Sequence, residues 1–176
     1  MKNTGLGKIK EDLLACSKGK KSIFKNMIFN TNFHCVVLYR IAHAFYKIKL
    51  SFISQIIKFI MKVIYSVDID FRSELAGGLV IIHGVGIVIG AAVKSNGPMK
   101  IYQGVTLGGN NDKVRVENGQ EFVQPIIGKN VIIYSNACIY GPVIIGDNCT
   151  IGACTVITKD IESNKVVFKK QDLIIK

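Results

Sequence analysis

Isoleucine recurs at every sixth position from Ile127 to Ile157, through Ile133, Ile139, Ile145 and Ile151, without a slip. On an α-helix residues six apart point in different directions, so an amphipathic helix is excluded. Simple strand alternation does not predict a strict six over so long a run either, and the period marks an internal repeat and a solenoid. Gly follows the isoleucine at Gly128, Gly146 and Gly152, and Asn stands third after it at Asn130, Asn136 and Asn148. Both residue types tolerate left-handed backbone and mark corners. The fourth residue is small or medium at Val131, Ala137, Val143, Cys149 and Thr155, with the larger Ile161 read as the last of that series. Short strands with one large and one smaller inward residue, each followed by a corner, stack into a prism filled by the isoleucines.

Residues 1–66 carry no hexads and read as helical. Ile9, Leu13 and Leu14 predict a short helix ended near Gly19, and GKKSIFKN leads into a second short element. A stronger helix follows Asn32, carrying Val36, Val37, Tyr39, Arg40, Ala44 and Phe45, and another covers FISQIIKFIMKVIY. The last has an apolar run of only about fifteen residues with Lys58 and Lys62 inside it, which fits interfacial contact or oligomer packing better than a membrane span. From Asp68 the chain turns to Gly and β-branched residues, and Leu75 and Ile81 open the first hexads. HGVGIV then inserts two residues before Ile89 restores the register, followed by Ser95, Ile101 and Leu107. A second break, residues 109–126, is polar and Gly-rich and predicts an excursion loop before the repeat resumes at Ile127. The expected organisation is a mainly β chain: helical residues 1–66, a parallel β-helix over 67–163, and a cap over 164–176.

The chain has 176 residues, one domain's worth, and its 49% apolar content is ample for a core. With 23 Lys and Arg against 12 Asp and Glu, the formal charge of +11 favours anionic partners, although a merely solubilising surface explains it equally well. The five cysteines form no CxxC pair, and MKNTGLGKIKEDLL has no apolar signal core, so a reducing cytoplasm with small buried thiols is expected. His34 and His43 lie nine apart with no third ligand nearby, and no metal site is expected. His83 is the only histidine of the repeat region and sits in the interrupted corner. Asp68, fifteen residues earlier, falls close to one coil beneath it, with Asp70 as the competing partner. A carboxylate on one imidazole nitrogen fixes the tautomer and leaves the other to take a proton from a hydroxyl.

DIDFRSELAGGLVIIHGVGIVIGAAV, IYQGVTLGG and the preceding YRIAH resemble the signature of the serine acetyltransferase family of hexapeptide-repeat acyltransferases, over about a hundred residues. The resemblance implies a left-handed parallel β-helix and a homotrimer, with a dimer of trimers left open. It implies acetyl-CoA as co-substrate, lying between neighbouring subunits against Gly109, Ser135 and Ala153, with its phosphates near Lys159, Lys169 or Lys170. It also implies His83 as general base and Asp68 as its orienting carboxylate. The chain departs from the family pattern where the acceptor is read. An aspartate before the histidine is replaced by Ile82, and an Arg-His pair before the proline by Val123 and Gln124. With no acidic group for an amine and no basic group for a carboxylate, Ile82, Gln103 and Gln124 predict a neutral acceptor. A surface-glycan sugar is expected, as for the short polysaccharide O-acetyltransferases of the family. L-serine is the alternative acceptor, and a non-enzymatic scaffold a remote one. A nucleic-acid partner is not expected, whereas peripheral contact with the inner membrane face is compatible with the basic surface.

Overall fold

The computed structural model describes residues 5–117 and 119–170. Four helices come first, Gly5–Ala15 (α1), Lys20–Phe29 (α2), Thr31–Lys47 (α3) and Ser51–Tyr65 (α4). Asn30 starts α3, its side-chain oxygen accepting the Phe33 N–H at 3.1 Å, which satisfies one of the donors a helix start leaves unpaired. Ser66, left-handed at φ 54°, ends α4 and turns the chain into the repeat.

The repeat builds three parallel faces. One stacks Asp68–Ile69, Val88–Ile89, Thr106–Gly108, Cys138–Tyr140 and Val156–Ile157, and a second stacks Leu79–Ile82, Met99–Tyr102, Val131–Ile133, Thr150–Ile151 and Val166–Val167. Lys94–Ser95, Ile126–Ile127 and Ile144–Ile145 form the third, extended by Glu74 beside Lys94 and Ile161 beside Ile145. Cys138 pairs with Val156 and Ile132 with Thr150, so three hexads make one coil. Ile127, Ile133, Ile139, Ile145 and Ile151 are wholly buried, each beneath or above another of the ladder. Side chains alternate inward and outward along each short strand, so only every second residue enters the prism. The corners carry their own ladder: Asn130 donates to Asn148 at 3.2 Å and Asn148 to Asn164 at 3.1 Å, all three left-handed.

The helices close the N-terminal end of the prism. Cys35, Val36 and Tyr39 of α3 and Met61 of α4 join Ile69, Leu75, Ile81 and Ile87 in one core. Arg40 ties helix to prism: buried, it holds the Asp12 carboxylate through Nε at 2.9 Å and Nη2 at 3.1 Å and donates to the Leu75 and Ala76 carbonyls at 2.6 Å. Asp12 in turn accepts the Leu79 N–H at 2.8 Å.

Four details depart from the sequence reading. Ile161 is not the small inward residue of its hexad; it pairs with Ile145 and takes the ladder position two residues early, so the last coil is shortened. Val166–Val167 pairs in register with Thr150–Ile151, carrying the solenoid past residue 163, while residues 171–176 of the expected cap lie outside the described residues. Cys35 and Cys149 are buried, but Cys154 is exposed, because it occupies the left-handed corner (φ 57°) one coil above Asn136. The expected excursion loop is an antiparallel hairpin, Arg115–Glu117 with Gln120–Phe122, pinned to the last coil by Arg115 Nη1 on the Asp160 carboxylate at 2.6 Å.

Candidate active site

Ile82 pairs with Tyr102 and Val88 with Thr106, so five residues turn a corner that three turn one coil higher. The two extra residues lift His83 out of the wall. It is exposed and left-handed at φ 54°, a conformation uncommon for residues other than Gly, which persists only where the surroundings hold it. Here they do: the next amide, Gly84 N–H, donates to Asn32 Oδ1 at 3.1 Å, and Gly86 N–H donates to the Ser66 carbonyl at 2.9 Å. A Cβ at Gly84 would lie 3.1 Å from both Asn32 Oδ1 and Val67 Cγ2, so a side chain there would crowd both. Asn32, which the sequence reading uses only as the marker of a helix start, holds the bulge through that bond, and no local pattern pairs residues 52 apart.

The strand register stacks Gln103, Ser135 and Ala153 on the His83 corner, one per coil. Beside them runs an outward wall of Ile82, Tyr102 and Tyr134, the two rings stacked at 4.9 Å. The Gln103 side-chain oxygen is buried at this corner and has no hydrogen-bond partner among the described residues, an acceptor that a ligand N–H or O–H would satisfy.

Asp68 lies on the face the His83 corner leads into, beneath Val88. Its carboxylate accepts from Lys62 Nζ at 2.9 Å and pairs with Lys58 Nζ at 3.2 Å, and no hydrogen bond joins it to His83 among the described residues. Partial burial pushes its pKa up, but the two ammonium groups outweigh that and hold it below the usual carboxylate range. Asp70 is buried and more fully engaged, accepting from the Arg72 amide at 3.0 Å, Arg72 Nε at 2.8 Å and Lys58 Nζ at 2.9 Å. Burial opposes ionisation there too, and the Arg72 and Lys58 donors depress its pKa well below the usual range. Of the two candidates Asp68 keeps the more open carboxylate. The lysines of α4 were read only as charges within an apolar run; they are the partners of both aspartates.

The remaining predicted residues fall elsewhere. Gly109 and Gln124 flank the next corner, where Gln124 Oε1 accepts the Ala92 N–H at 2.9 Å and its amide fills the space a Cβ on Gly90 would need. Gln124 therefore ties its coil to the one beneath. Lys159 and Lys169 line a cavity of about 440 Å³ at the C-terminal end together with Thr158 and Phe168, and Lys170 is exposed beside it. His43 places its Nδ1 2.8 Å from the Phe71 carbonyl, a contact between α3 and the first coil.

Residues 124–159 match the family described as bacterial transferase hexapeptide (six repeats). The serine acetyltransferase of Bacillus pumilus strain SAFR-032 is 31% identical over 147 residues, covering 84% of this chain and 65% of that protein. The serine acetyltransferase of Helicobacter pylori strain 26695 is 32% identical over 128 residues, covering 73% of this chain and 71% of the relative. A solved serine acetyltransferase from Brucella abortus, in complex with coenzyme A, superposes with a TM-score of 0.81 at 24% identity, over 93% of this chain and 64% of that one, a likeness of fold. The chain thus spans about two thirds of the length of the proteins it resembles. Three-hexad coils, a histidine lifted from one corner and about a third of residues shared across most of the chain agree: it belongs to the serine acetyltransferase family of hexapeptide-repeat transferases.

Proposed function

We propose that the chain is an acetyl-CoA-dependent O-acetyltransferase in which His83 is the general base. The observation that carries this reading is the two-residue insertion that projects His83 from a corner whose higher levels bear Gln103, Ser135 and Ala153. Acetyl-CoA supplies the activated acyl group. Turned outward from its buried place, the Gln103 oxygen suits the amide N–H groups of a pantetheine arm running up that corner, toward Lys159, Lys169 and Lys170 for its phosphates. His83 takes the proton of the acceptor hydroxyl as the hydroxyl oxygen attacks the thioester carbonyl. Amides of the coil stabilise the oxyanion, and the CoA thiolate leaves and takes up the proton. Asp68 orients the imidazole once its carboxylate turns from Lys62. The active unit in this reading is a trimer of left-handed coils, with Gly109 of one subunit facing the His83 corner of the next.

The names of the relatives favour L-serine as acceptor. A second reading, a neutral sugar hydroxyl, is favoured by one local observation: the wall beside His83 is Ile82, Tyr102 and Tyr134, with no acidic group for an amine, and the aromatic pair suits the apolar face of a sugar ring. Thiol release from acetyl-CoA, measured with L-serine and with a panel of neutral glycans, decides between them. Turnover with neither, together with no acetyl-CoA binding by calorimetry, would sink the enzyme assignment.

A further inference from the structure

Helix α4 is built inside out. It packs on α3 and the core through Ser54 and Met61, both fully buried, while Phe52, Ile56, Phe59, Val63 and Ile64 face away from the protein. Phe52 is 79% exposed, Phe59 65% and Ile64 67%, and the preceding turn adds Ile48 at 64%. Large apolar side chains on one arc of a helix, left outside, mark an interaction surface.

The charge around that arc says what covers it. Between Leu13 and Val67 the chain carries nine Lys and Arg and no Asp or Glu. Arg40, Lys47, Lys58 and Lys62 pair with Asp12, Glu74, Asp70 and Asp68, which leaves Lys18, Lys20, Lys21, Lys25 and Lys49 without an ion-pair partner among the described residues, and two copies meeting through such faces would add like charges with no acid of α2, α3 or α4 to answer them. An anionic lipid surface answers both features at once. Its acyl region takes the aromatic and branched side chains, and its headgroups take Lys49 in the turn before α4 and Lys47, whose pair with Glu74 lies at the surface. At 15 residues α4 is roughly 22 Å long, and among the described residues no helix is long and apolar enough to cross a membrane, so α4 would lie in the interface plane.

We propose that α4 docks this protein on anionic membrane surfaces, with Phe52, Ile56, Phe59, Val63 and Ile64 inserted below the headgroups. The proposal rests on α4 alone and holds whichever acceptor is acetylated.

The sequence contains no tryptophan, so Phe59→Trp reports on this face by itself. With the full chain, its emission should shift to the blue and be quenched by bromolipids in vesicles with about 30% phosphatidylglycerol, and not in purely phosphatidylcholine vesicles. About 0.5 M salt should weaken the association by tenfold or more. Adding Phe52→Ser and Ile64→Ser should abolish the shift; both positions are exposed, and unchanged acetyl-CoA binding and circular dichroism would show that the fold survives. A Phe59→Trp protein whose emission stays unaltered by anionic vesicles overturns the proposal. So does blue emission from the vesicle-free protein whose mass in solution falls in the Ser variants, for then a second copy covers the face.

Discussion

At the scale of single residues the proposed chemistry rests on a histidine in the left-handed region, held there by its surroundings. His83 at φ 54° is kept there by the amides on either side of the bulge, which bond to Asn32 and Ser66. His83→Ala should lower turnover by roughly 10²- to 10⁴-fold while the oligomer mass and unfolding midpoint stay unchanged, as measured by thiol release and sedimentation. Asn32→Ala removes the acceptor of the Gly84 amide and should lower kcat by about tenfold with little change in the KM for acetyl-CoA; a purely structural Asn32 would lower stability alone. Asp70 offers a test of sign. Its pKa in the folded chain is depressed, so the stability it contributes is present above its unfolded pKa near 4 and is lost as pH falls through the lower folded value. Asp70→Asn should cost about 2 kcal/mol or more at pH 7 and flatten the fall in urea midpoint below about pH 4.

At the scale of elements, strands of two to four residues have little stability of their own, and the stack supplies it. Ile133, wholly buried between Ile101 and Ile151, can be neither replaced by solvent nor refilled by its neighbours. Ile133→Ala should cost about 2–5 kcal/mol by chemical denaturation. Helix and prism are joined by the Asp12–Arg40 pair, whose side chains are 0% and 2% exposed. Arg40→Ala leaves the buried Asp12 carboxylate without its cation and the Ala76 carbonyl without its Arg40 donor and should cost about 3–5 kcal/mol, detaching the helices before the coils unfold; hydrogen exchange would show α1 and α3 losing protection first. The hexad pattern predicted the coils correctly, because its period is imposed by the repeating geometry itself. It misread Ile161, because a coil two residues short still offers an isoleucine at the ladder position, and only pairing with Ile145 shows which role the residue takes.

At the scale of the whole molecule, charge and apolar surface are unevenly shared. The acids that answer the helical lysines lie in the prism, where Asp68, Asp70 and Glu74 meet Lys62, Lys58 and Lys47. The proposed trimer should sediment at three times the 19.4 kDa chain, and mixing His83→Ala subunits with subunits altered at Gly109 should restore some activity if the site is shared. Neutral residues at 82, 123 and 124 speak for a sugar acceptor and the names of the relatives speak for serine, so the acceptor panel carries the weight of that question.

The sequence by itself determined the solenoid, its inward ladder, its corners and the two places where the repeat breaks, because each of these is a periodic or a local property of the chain. It singled out His83 for the same reason: an insertion in a regular repeat is visible without coordinates. Only the tertiary structure decided which side chains meet across coils and between helix and prism. Asn32 under Gly84, Lys58 and Lys62 on Asp68, and Gln124 spent on Ala92 are contacts between segments far apart in the chain. Hydrogen bonds and ion pairs of that kind depend on how the coils stack and where the helices dock, and no spacing along the chain encodes them.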